Sequence, residues 1–439
     1  MSRPKIISLY SGAGGMDYGL EAAGFRTAVA LELDHDCCET LRNNRSWPVI
    51  ERSIFDVPTA EMLEVADLRK EEASLVVGGP PCQPFSKAGY WASGDSRRLE
   101  DPRASTLAAF MRVVEEALPQ AFLLENVGGL AFSGKDEGLQ LVLDQIRRIN
   151  RKTKSNYRPH FQVLNAADYG VPQMRERFIL LAGREGQSFT FPQASFASSA
   201  PTTEPSLFNL PKFSPYRTAW DALGDLDDPR GEDLAMKGKW ADLLPSIPEG
   251  NNYLWHTDRG GGVPLFGWRR RYWTFLLKLA KSRPSWTIQA QPGPAIGPFH
   301  WKNRRLSMRE LCRLQTFPDD VEISGGRGSV QRQVGNAVPS LLAEVLGRET
   351  RTQLLGLRPM KSVPRLLPPS RSPAPPPEGA RPVPVAFRHL RGNHDAHPGT
   401  GKGYGAQIRR TGIADRLPPG HVSCARLRSG PHLWPERQK

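Results

Sequence analysis

A cysteine on a proline-stiffened loop is the group in this sequence best suited to covalent chemistry. Cys82 lies in the stretch GGPPCQPFS (residues 78–86), directly after the strand-like run Ser74–Val77. A loop at the carboxyl end of a parallel strand is where open α/β sheets bind ligands. A lone cysteine is usually a buried apolar residue. The two prolines and two glycines around Cys82 disfavour that plain packing role.

An acid and two arginines form the next candidate groups. Glu125 ends an apolar run (residues 121–124), and an acid at such a strand end can have a raised pKa and donate a proton. Arg175 and Arg177 are two residues apart in an extended segment, so both can point the same way and bind a phosphate or a base oxygen. A surface carboxylate and a salt-bridged strand entry are the plain alternatives, and each motif alone leaves them open.

A glycine-rich turn, YSGAGG at residues 10–15, joins the first strand-like run to a helical pattern. Gly12 and Gly14 allow a ligand to approach the backbone, and a helix N-terminus favours an anionic group. Asp17 stands where the dinucleotide pattern has its third glycine. Glu32, at the end of the next strand, can accept hydrogen bonds from ribose hydroxyls. This combination predicts a nucleoside cofactor without a pyrophosphate, and S-adenosylmethionine fits.

These groups require a scaffold, and the first 185 residues alternate strand-like and helix-like patterns. The predicted strands are Lys5–Tyr10, Thr27–Leu33, Ser74–Gly78, Ala121–Glu125 and Arg177–Ala182. Such alternation predicts a parallel sheet covered by helices. Further helices are predicted from Asp101, over Ser307–Phe317 and over Ser340–Gly347. Residues 186–303 lose this rhythm and predict a separate, irregular domain.

The positive charge is concentrated in two regions of a chain whose net charge is +14. Residues 251–310 hold 11 Lys and Arg and five tryptophans, which suits phosphate and base binding, although a folded domain with a basic face is equally compatible. Residues 351–439 hold 16 basic against 4 acidic residues, and 15 of the 40 prolines. This segment lacks apolar periodicity and predicts a disordered tail, either a nucleic-acid tether or an extension without a role.

Composition excludes several classes of protein. An apolar fraction of 39%, with 18 Phe, 9 Tyr and 10 Trp, is enough for a sizeable core and excludes a wholly disordered chain. No run of about 18 uncharged apolar residues occurs, so no membrane helix is expected. The five cysteines show no CxxC spacing, which disfavours a disulfide framework and a cysteine zinc site. We therefore expect a cytoplasmic protein without a metal centre.

In this order, the motifs resemble those of the DNA cytosine carbon-5 methyltransferase family of bacterial restriction-modification systems. The resemblance rests on the glycine turn, the Pro-Pro-Cys-Gln loop, the Glu-Asn-Val triplet, the Gln-x-Arg-x-Arg run and the QVGNAVP stretch (residues 333–339), with a further block at 305–318. It implies a Rossmann-like, mostly parallel α/β catalytic and cofactor domain at 1–185, completed by 305–350. It also implies a smaller target-recognition domain at 186–304. The tail, 351–439, is outside the resemblance.

The resemblance implies a role for individual residues. Cys82 would be the nucleophile, Glu125 would contact nitrogen 3 of the cytosine, and Arg175 and Arg177 would lie at the flipped base and its backbone. S-adenosylmethionine would be held by Tyr10, Gly12, Gly14, Glu32, Leu33, Ser53, Ile54, Pro81 and Asn336. Many members have Asp where this chain has Ser53. Either Ser53 makes a weaker contact with the adenine or the nearby Asp56 is recruited.

The implied reaction is attack of a thiolate on carbon 6 of a cytosine flipped out of double-stranded DNA, which activates carbon 5 for methylation. A cognate restriction endonuclease acting on the same site is an expected partner, and the enzyme is expected to be a monomer. Two alternatives are an RNA (tRNA) cytosine-5 methyltransferase and a catalytically inactive DNA-binding homologue. The length of the segment 186–304 favours DNA, and the presence of every chemical residue disfavours an inactive homologue.

Overall fold

The computed structural model describes residues 3–81, 104–131, 137–198, 213–227, 229, 231–267 and 273–392. Cys82 and the Gly- and Arg-rich loop that follows it lie outside the described residues, as does the chain beyond residue 392. Among the described helices, none carries an apolar stretch long enough to cross a bilayer.

A seven-stranded sheet forms the centre of the molecule, in the order β3-β2-β1-β4-β5-β8-β6. The strands β1 to β5 pair in parallel, and β8 runs antiparallel to both of its neighbours. The predicted, mostly parallel sheet is therefore confirmed, with β3 and β6 as strands that the sequence pattern missed. The strands are β1 (Lys5–Leu9), β2 (Arg26–Glu32), β3 (Val49–Glu51), β4 (Leu75–Gly78), β5 (Ala121–Val127), β6 (His160–Asn165), β7 (Gln173–Met174, outside this sheet) and β8 (Glu176–Gly183).

Helices cover both faces of the sheet because alternate strand residues point to opposite sides. In β1, Ile7 packs into one apolar cluster and Ile6 into another. The helices α1 (Gly15–Ala22), α2 (His35–Asn44), α3 (Thr59–Val65), α4 (Ala104–Ala117) and α5 (Glu137–Thr153) precede the irregular region. α3, α4 and α5 pack on the Ile7 side. α1 packs on the Ile6 side, together with the helix Ser340–Gln353. We call the sheet and the helices that cover it the sheet domain.

The irregular region between residues 186 and 304 contains only short elements among its described residues. They are β9 (Phe196–Ala197), β10 (Ser214–Pro215), α6 (Ala219–Leu223) and β11 (Ser285–Trp286), with 3₁₀ turns at Ala241–Ser246 and Tyr253–His256. Its own apolar cluster includes Leu243, Leu244, Leu276 and Phe299. β11 pairs in parallel with β7, which ties this region to the sheet domain.

Three helices return the chain to the sheet domain. They are α7 (Met308–Leu314), α8 (Arg327–Asn336) and α9 (Ser340–Gln353). α7 begins at Ser307, whose side chain forms a capping box with Glu310. α9 is longer than predicted, because its buried face continues past Gly347 to Arg348 and Thr350.

The structure differs from the sequence expectation after residue 351. Residues 354–392, which we call the strap, lie along the folded body, whereas a disordered tail was expected there. Leu366 and Leu367 pack against the apolar cluster under α9, and Phe387 is buried in the cluster of the irregular region. The proline-rich composition hid these contacts, because anchor residues spaced along an extended segment leave no helical or strand periodicity. Residues 393–439 lie outside the described part of the chain.

Candidate active site

The glycine-rich turn is shaped by left-handed backbone and by one carboxylate. Tyr10 and Gly12 both have φ near +54°, and Gly14 has φ +80°. The carboxylate of Glu32 accepts hydrogen bonds from the amide of Gly12 (2.7 Å) and from those of Leu33 (2.8 Å) and Asp34 (2.9 Å). A carboxylate has about four acceptor positions, so roughly one remains for a further donor. Glu32 thus fixes the turn and can still bind a hydroxyl.

A cavity of about 1100 Å³ opens at the carboxyl ends of β1, β2, β4 and β5. This volume is sufficient for a nucleoside-sized ligand. Most of the predicted cofactor residues line it: Tyr10, Gly12, Glu32, Leu33, Ser53, Ile54, Pro81 and Asn336. Glu125 also lines it, so the structure brings the predicted acid and the predicted cofactor residues to one cavity.

Gly14 differs from its predicted role, since it does not line the cavity. It precedes α1 as the N-cap, and a Cβ there would lie 2.8 Å from Leu41 and 3.0 Å from Tyr18. Its positive φ and the close packing below it explain the glycine, because a side chain would meet both obstacles. Gly14 therefore shapes the turn from beneath.

The cavity has an apolar side with a hydroxyl beside it. Leu33 is 68% exposed and Phe55 57% exposed, although both are large apolar residues at the rim of the cavity. Exposed apolar side chains that line a cavity mark a surface for an apolar ligand face. Ser53 lines the same cavity, and Asp56 does not. Of these two residues, Ser53 is therefore the one at the cavity surface.

Glu125 is buried beside an arginine at the end of β5. It is 8% exposed, and its Oε1 lies 2.7 Å from Nε of Arg177. Burial raises the pKa of Glu125 above that of an ordinary carboxyl, although Arg177 and Arg175 oppose the shift. A Cβ at Gly79 would lie 2.7 Å from the other carboxylate oxygen, so the glycine before the Cys82 loop makes room for this acid.

Asn126 links the acid to the cysteine loop. Its side-chain amide donates to the carbonyl of Pro80 at 3.2 Å, and it is 2% exposed. Pro81, the last described residue before Cys82, lines the cavity. In the sequence, only the acid of the Glu-Asn-Val triplet suggested a role. The role of Asn126 depends on a contact with the segment after β4, which the sequence does not show.

Arg175 occupies a different place from Arg177. It is 1% exposed, and its guanidinium donates to the carbonyls of Gly335 (2.5 Å), Ala337 (3.0 Å) and Ile288 (3.2 Å). Neither arginine lines the cavity. The two arginines therefore have different partners, since Arg177 pairs with Glu125 and Arg175 binds backbone carbonyls.

Asp17 is a buried acid in the wall of the cavity. The sequence pattern gave this residue no role of its own. It is fully buried in α1 and accepts hydrogen bonds from Ser8 (3.0 Å) and Thr27 (3.1 Å). Burial raises its pKa to about 7. Its only signal in the sequence is an acid in the first turn of the helix that follows the glycine-rich turn.

One acidic cluster near the cavity is an ion-pair group. His35, Glu39 and Glu51 bring three possible metal ligands together. Arg42 donates to both carboxylates, at 3.0 Å and 2.6 Å, and Nδ1 of His35 lies 2.7 Å from Glu51. The guanidinium already neutralises the charge that would attract a cation.

The strand order and the cavity define a Rossmann-like α/β methyltransferase fold. A likeness to solved structures supports the fold: a prophage-encoded DNA modification methyltransferase (E. coli) superposes with a TM-score of 0.55 at 22% identity, over 80% of this chain and 99% of that one. The model of the family "C-5 cytosine-specific DNA methylase" matches residues 4–351. The chain belongs to this family and is a DNA (cytosine-5-)-methyltransferase.

Two relatives illustrate the extent of the similarity. Type II methyltransferase M.SacI of Streptomyces achromogenes is 40% identical over 372 residues, covering 80% of this chain and 93% of that protein. Type II methyltransferase M.NgoFVII of Neisseria gonorrhoeae is 32% identical, covering 77% and 84%. The family model ends at residue 351, so the strap lies beyond it.

Proposed function

We propose that the cavity binds S-adenosylmethionine. The remaining acceptor position of Glu32 suits a ribose hydroxyl, and the exposed faces of Leu33 and Phe55 suit a purine. We assign the polar contact to the adenine to Ser53, since it lines the cavity and Asp56 does not. The bound cofactor supplies an electrophilic methyl group on a sulfonium.

We propose that Cys82 and Glu125 activate a cytosine that has left the DNA helix. The Cys82 thiolate adds to carbon 6, and the electron pair of the carbon 5–carbon 6 double bond shifts onto carbon 5 and is delocalised through carbon 4 to nitrogen 3, so carbon 5 becomes nucleophilic. Glu125 hydrogen-bonds or protonates nitrogen 3 and stabilises the developing charge. After carbon 5 is methylated, a general base removes its proton. The double bond re-forms, the Cys82 thiolate leaves, and a proton given to nitrogen 3 returns to Glu125.

One observation carries this proposal. A buried carboxyl with a raised pKa lies in the same cavity wall as Pro81, one residue before the thiol. An acid that stays protonated at a higher pH than usual can donate to a ring nitrogen. Arg177, 2.7 Å from Glu125, orients that carboxyl, so we retain Arg177 in the site as its partner.

We further propose that the substrate is a specific sequence in double-stranded DNA, and that residues 186–304 read it. Both relatives described above are named Type II methyltransferases. By similarity, we propose that methylation protects DNA from a cognate restriction endonuclease and that the enzyme acts as a monomer. Base reading requires a folded surface, and this region has an apolar core of its own.

The test is covalent trapping. With S-adenosylmethionine present, duplex DNA carrying 5-fluorocytosine should form an adduct with the wild type that mass spectrometry detects, because the fluorine on the methylated carbon 5 cannot leave as a proton does. Cys82→Ser should form none and should lose methyl transfer, because an alcohol is a far weaker nucleophile than a thiolate. Cys37→Ser is the matched control, since Cys37 also lines the cavity and burial raises the pKa of its thiol. Methylation of tRNA in preference to DNA, or retained trapping in Cys82→Ser, would contradict the proposal.

A further inference from the structure

Arg175 joins two segments that are distant in sequence. Its Nη2 donates to the carbonyls of Gly335 and Ala337, and its Nη1 donates to that of Ile288. One guanidinium therefore bridges the end of α8 and the segment after β11. The planar fork of arginine can reach three carbonyls at once, which a lysine ammonium cannot match in this geometry.

The first of these segments forms a wall of the cavity. Gly335 and Ala337 flank Asn336, and Asn336, Ala337 and Val338 all line the cavity. Holding the carbonyls on both sides of Asn336 fixes the backbone that presents its side chain. Arg175 thus acts on the cavity through this backbone, without lining the cavity itself.

The second segment belongs to the irregular region. Ile288 is 1% exposed and follows β11, whose pairing with β7 ties that region to the sheet domain. The hydroxyl of Thr287 donates to the carbonyl of Met174 at 2.7 Å, beside Arg175. Arg175 therefore lies where the irregular region meets the cavity wall.

Two glutamines connect the same segments a second time. The amide oxygen of Gln173 accepts from the backbone of Ile288 at 3.0 Å, and its nitrogen donates to Gln315 at 3.0 Å. Gln315 in turn donates to the carbonyl of Val334 at 2.6 Å. A Cβ at Gly335 would lie 2.5 Å from the backbone of Ala290, so the two segments also touch directly. This junction is a buried polar network, and such networks hold their parts rigidly.

The charge of Arg175 supports a role in geometry. Arg177 takes the carboxylate of Glu125, and the hydrogen bonds of Arg175 run to backbone carbonyls and to the Gln173 amide. Burial lowers the pKa of Arg175 well below its usual value. Burying a cation that is held mainly by carbonyl dipoles costs free energy. The burial of Arg175 at this junction therefore supports a role in holding the two segments together.

We infer that Arg175 is a positioning residue that locks the cofactor wall at Asn336 to the irregular region at Ile288, and that it does not contact the flipped base. The inference rests on the proposed cofactor site. It departs from the role that the family resemblance implies for this arginine. A base contact would act only when DNA is bound, whereas a lock on Asn336 acts on the cofactor without DNA.

The experiment measures binding of S-adenosylhomocysteine to the full-length enzyme by calorimetry, with no DNA present. Arg175→Met should weaken binding about tenfold, the scale of one hydrogen bond to a charged group. Arg175→Lys should fall between this variant and wild type. Arg177→Met should bind the ligand normally but lose turnover. Arg351→Met is the matched control. Arg351 also donates to a backbone carbonyl, that of Ala23 at 2.7 Å, but at the C-terminal end of α1, away from the cavity.

Hydrogen–deuterium exchange gives a second readout that needs no ligand. Arg175→Met should raise deuterium uptake at residues 333–338 and 286–290 together, and Arg351→Met should raise it at neither. Unchanged exchange at both segments, or affinity within twofold of wild type in a folded Arg175→Met, overturns the inference. If that variant does not fold, Gln173→Met tests the same junction by the same criteria. Wild-type protein that binds no S-adenosylhomocysteine would contradict the proposed function, while exchange still decides the role of Arg175.

Discussion

The sheet domain and the irregular region hold their chains together by different means. In the sheet domain, strand pairing satisfies the buried backbone, and the cores on both faces are apolar. In the irregular region, buried charged side chains do much of this work. Lys278 donates to the carbonyl of Ile247 and to Asn303 (2.6 Å), and Lys281 pairs with Glu249 at 2.6 Å.

The difference follows from the need of buried backbone groups for hydrogen-bond partners. Buried carbonyls must be paired, and loops without a ladder must recruit side chains to pair them. Lys278 is 3% exposed, and burial lowers its pKa to about 8. A region built in this way can present a varied surface, but its shape depends on individual contacts.

The strap contacts both the sheet domain and the irregular region. At one end, the Glu344 carboxylate accepts from the amides of Arg365 (2.7 Å) and Leu366 (2.9 Å). At the other, the amide of Arg381 donates to the carbonyl of Pro245 at 2.9 Å, and Phe387 stacks on Trp240 with centroids 5.8 Å apart. The strap thus connects α9 to the core of the irregular region.

The largest effect is expected in the sheet domain. Glu125→Gln should lower the methylation rate by at least ~10²-fold, because an amide is a much weaker proton donor than a carboxylic acid. Binding of S-adenosylhomocysteine should be nearly unchanged. Glu115→Gln is the matched control, since Glu115 is equally buried, at 8% exposed, and pairs with Arg148 and Lys152 on α5. Equal losses of rate and cofactor affinity in Glu125→Gln would indicate a structural role instead.

A truncation tests the support of the irregular region. Removing residues 362–439 should lower the melting temperature by roughly 5 °C, since the buried Phe387, whose burial is worth roughly 1.5–3 kcal/mol, and the partly buried Leu366 and Leu367 are lost. Protease cleavage should concentrate between residues 213 and 304. Removing only residues 393–439 provides the control. If both truncated proteins melt like wild type, the strap does not support the fold.

The pH dependence of stability should report on Asp17. Its pKa is about 7 when folded and ordinary when unfolded, so its stabilising contribution is complete below pH ~4 and is lost as the pH rises through 7. Asp17→Asn keeps hydrogen bonds to Ser8 and Thr27 and should flatten this fall in melting temperature. Asp67→Asn, at an exposed ion pair with Lys5, should leave the profile unchanged. An identical profile for Asp17→Asn and wild type would show that Asp17 does not titrate there.

The smallest effect is expected from the segment 393–439. It holds 8 Lys and Arg against 3 acidic residues. Its removal should make the slope of log affinity for non-specific DNA against log salt concentration shallower. The change should be about 0.9 for each phosphate that the segment neutralises in the full-length enzyme. The methylated sequence, read by bisulfite sequencing, should not change. A changed sequence would place part of the recognition surface in this segment.

Much of the sheet domain could be predicted because its signals are local. Strand-like runs ended by a glycine turn, by Glu32 and by Glu125 placed these groups at one edge of a parallel sheet, and the cavity lies there. The short edge strand β3 and the exposed strand β6 were missed. Phe161 and Val163 of β6 are 44% and 37% exposed, so the strand has neither a buried run nor a clean alternation.

The amino-acid sequence by itself determined the family, the order of the chemical motifs and most of the predicted residues that line the cavity, because each depends on residue types close together in the chain. Only the tertiary structure decided that Arg175 and Arg177 serve different partners, that Asn126 holds the cysteine loop, and that residues 354–392 form a strap. The hydrogen bonds of Arg175 alone join segments 160 and 162 residues apart, at Gly335 and Ala337. Packing geometry sets such contacts, and no local pattern in the sequence encodes it.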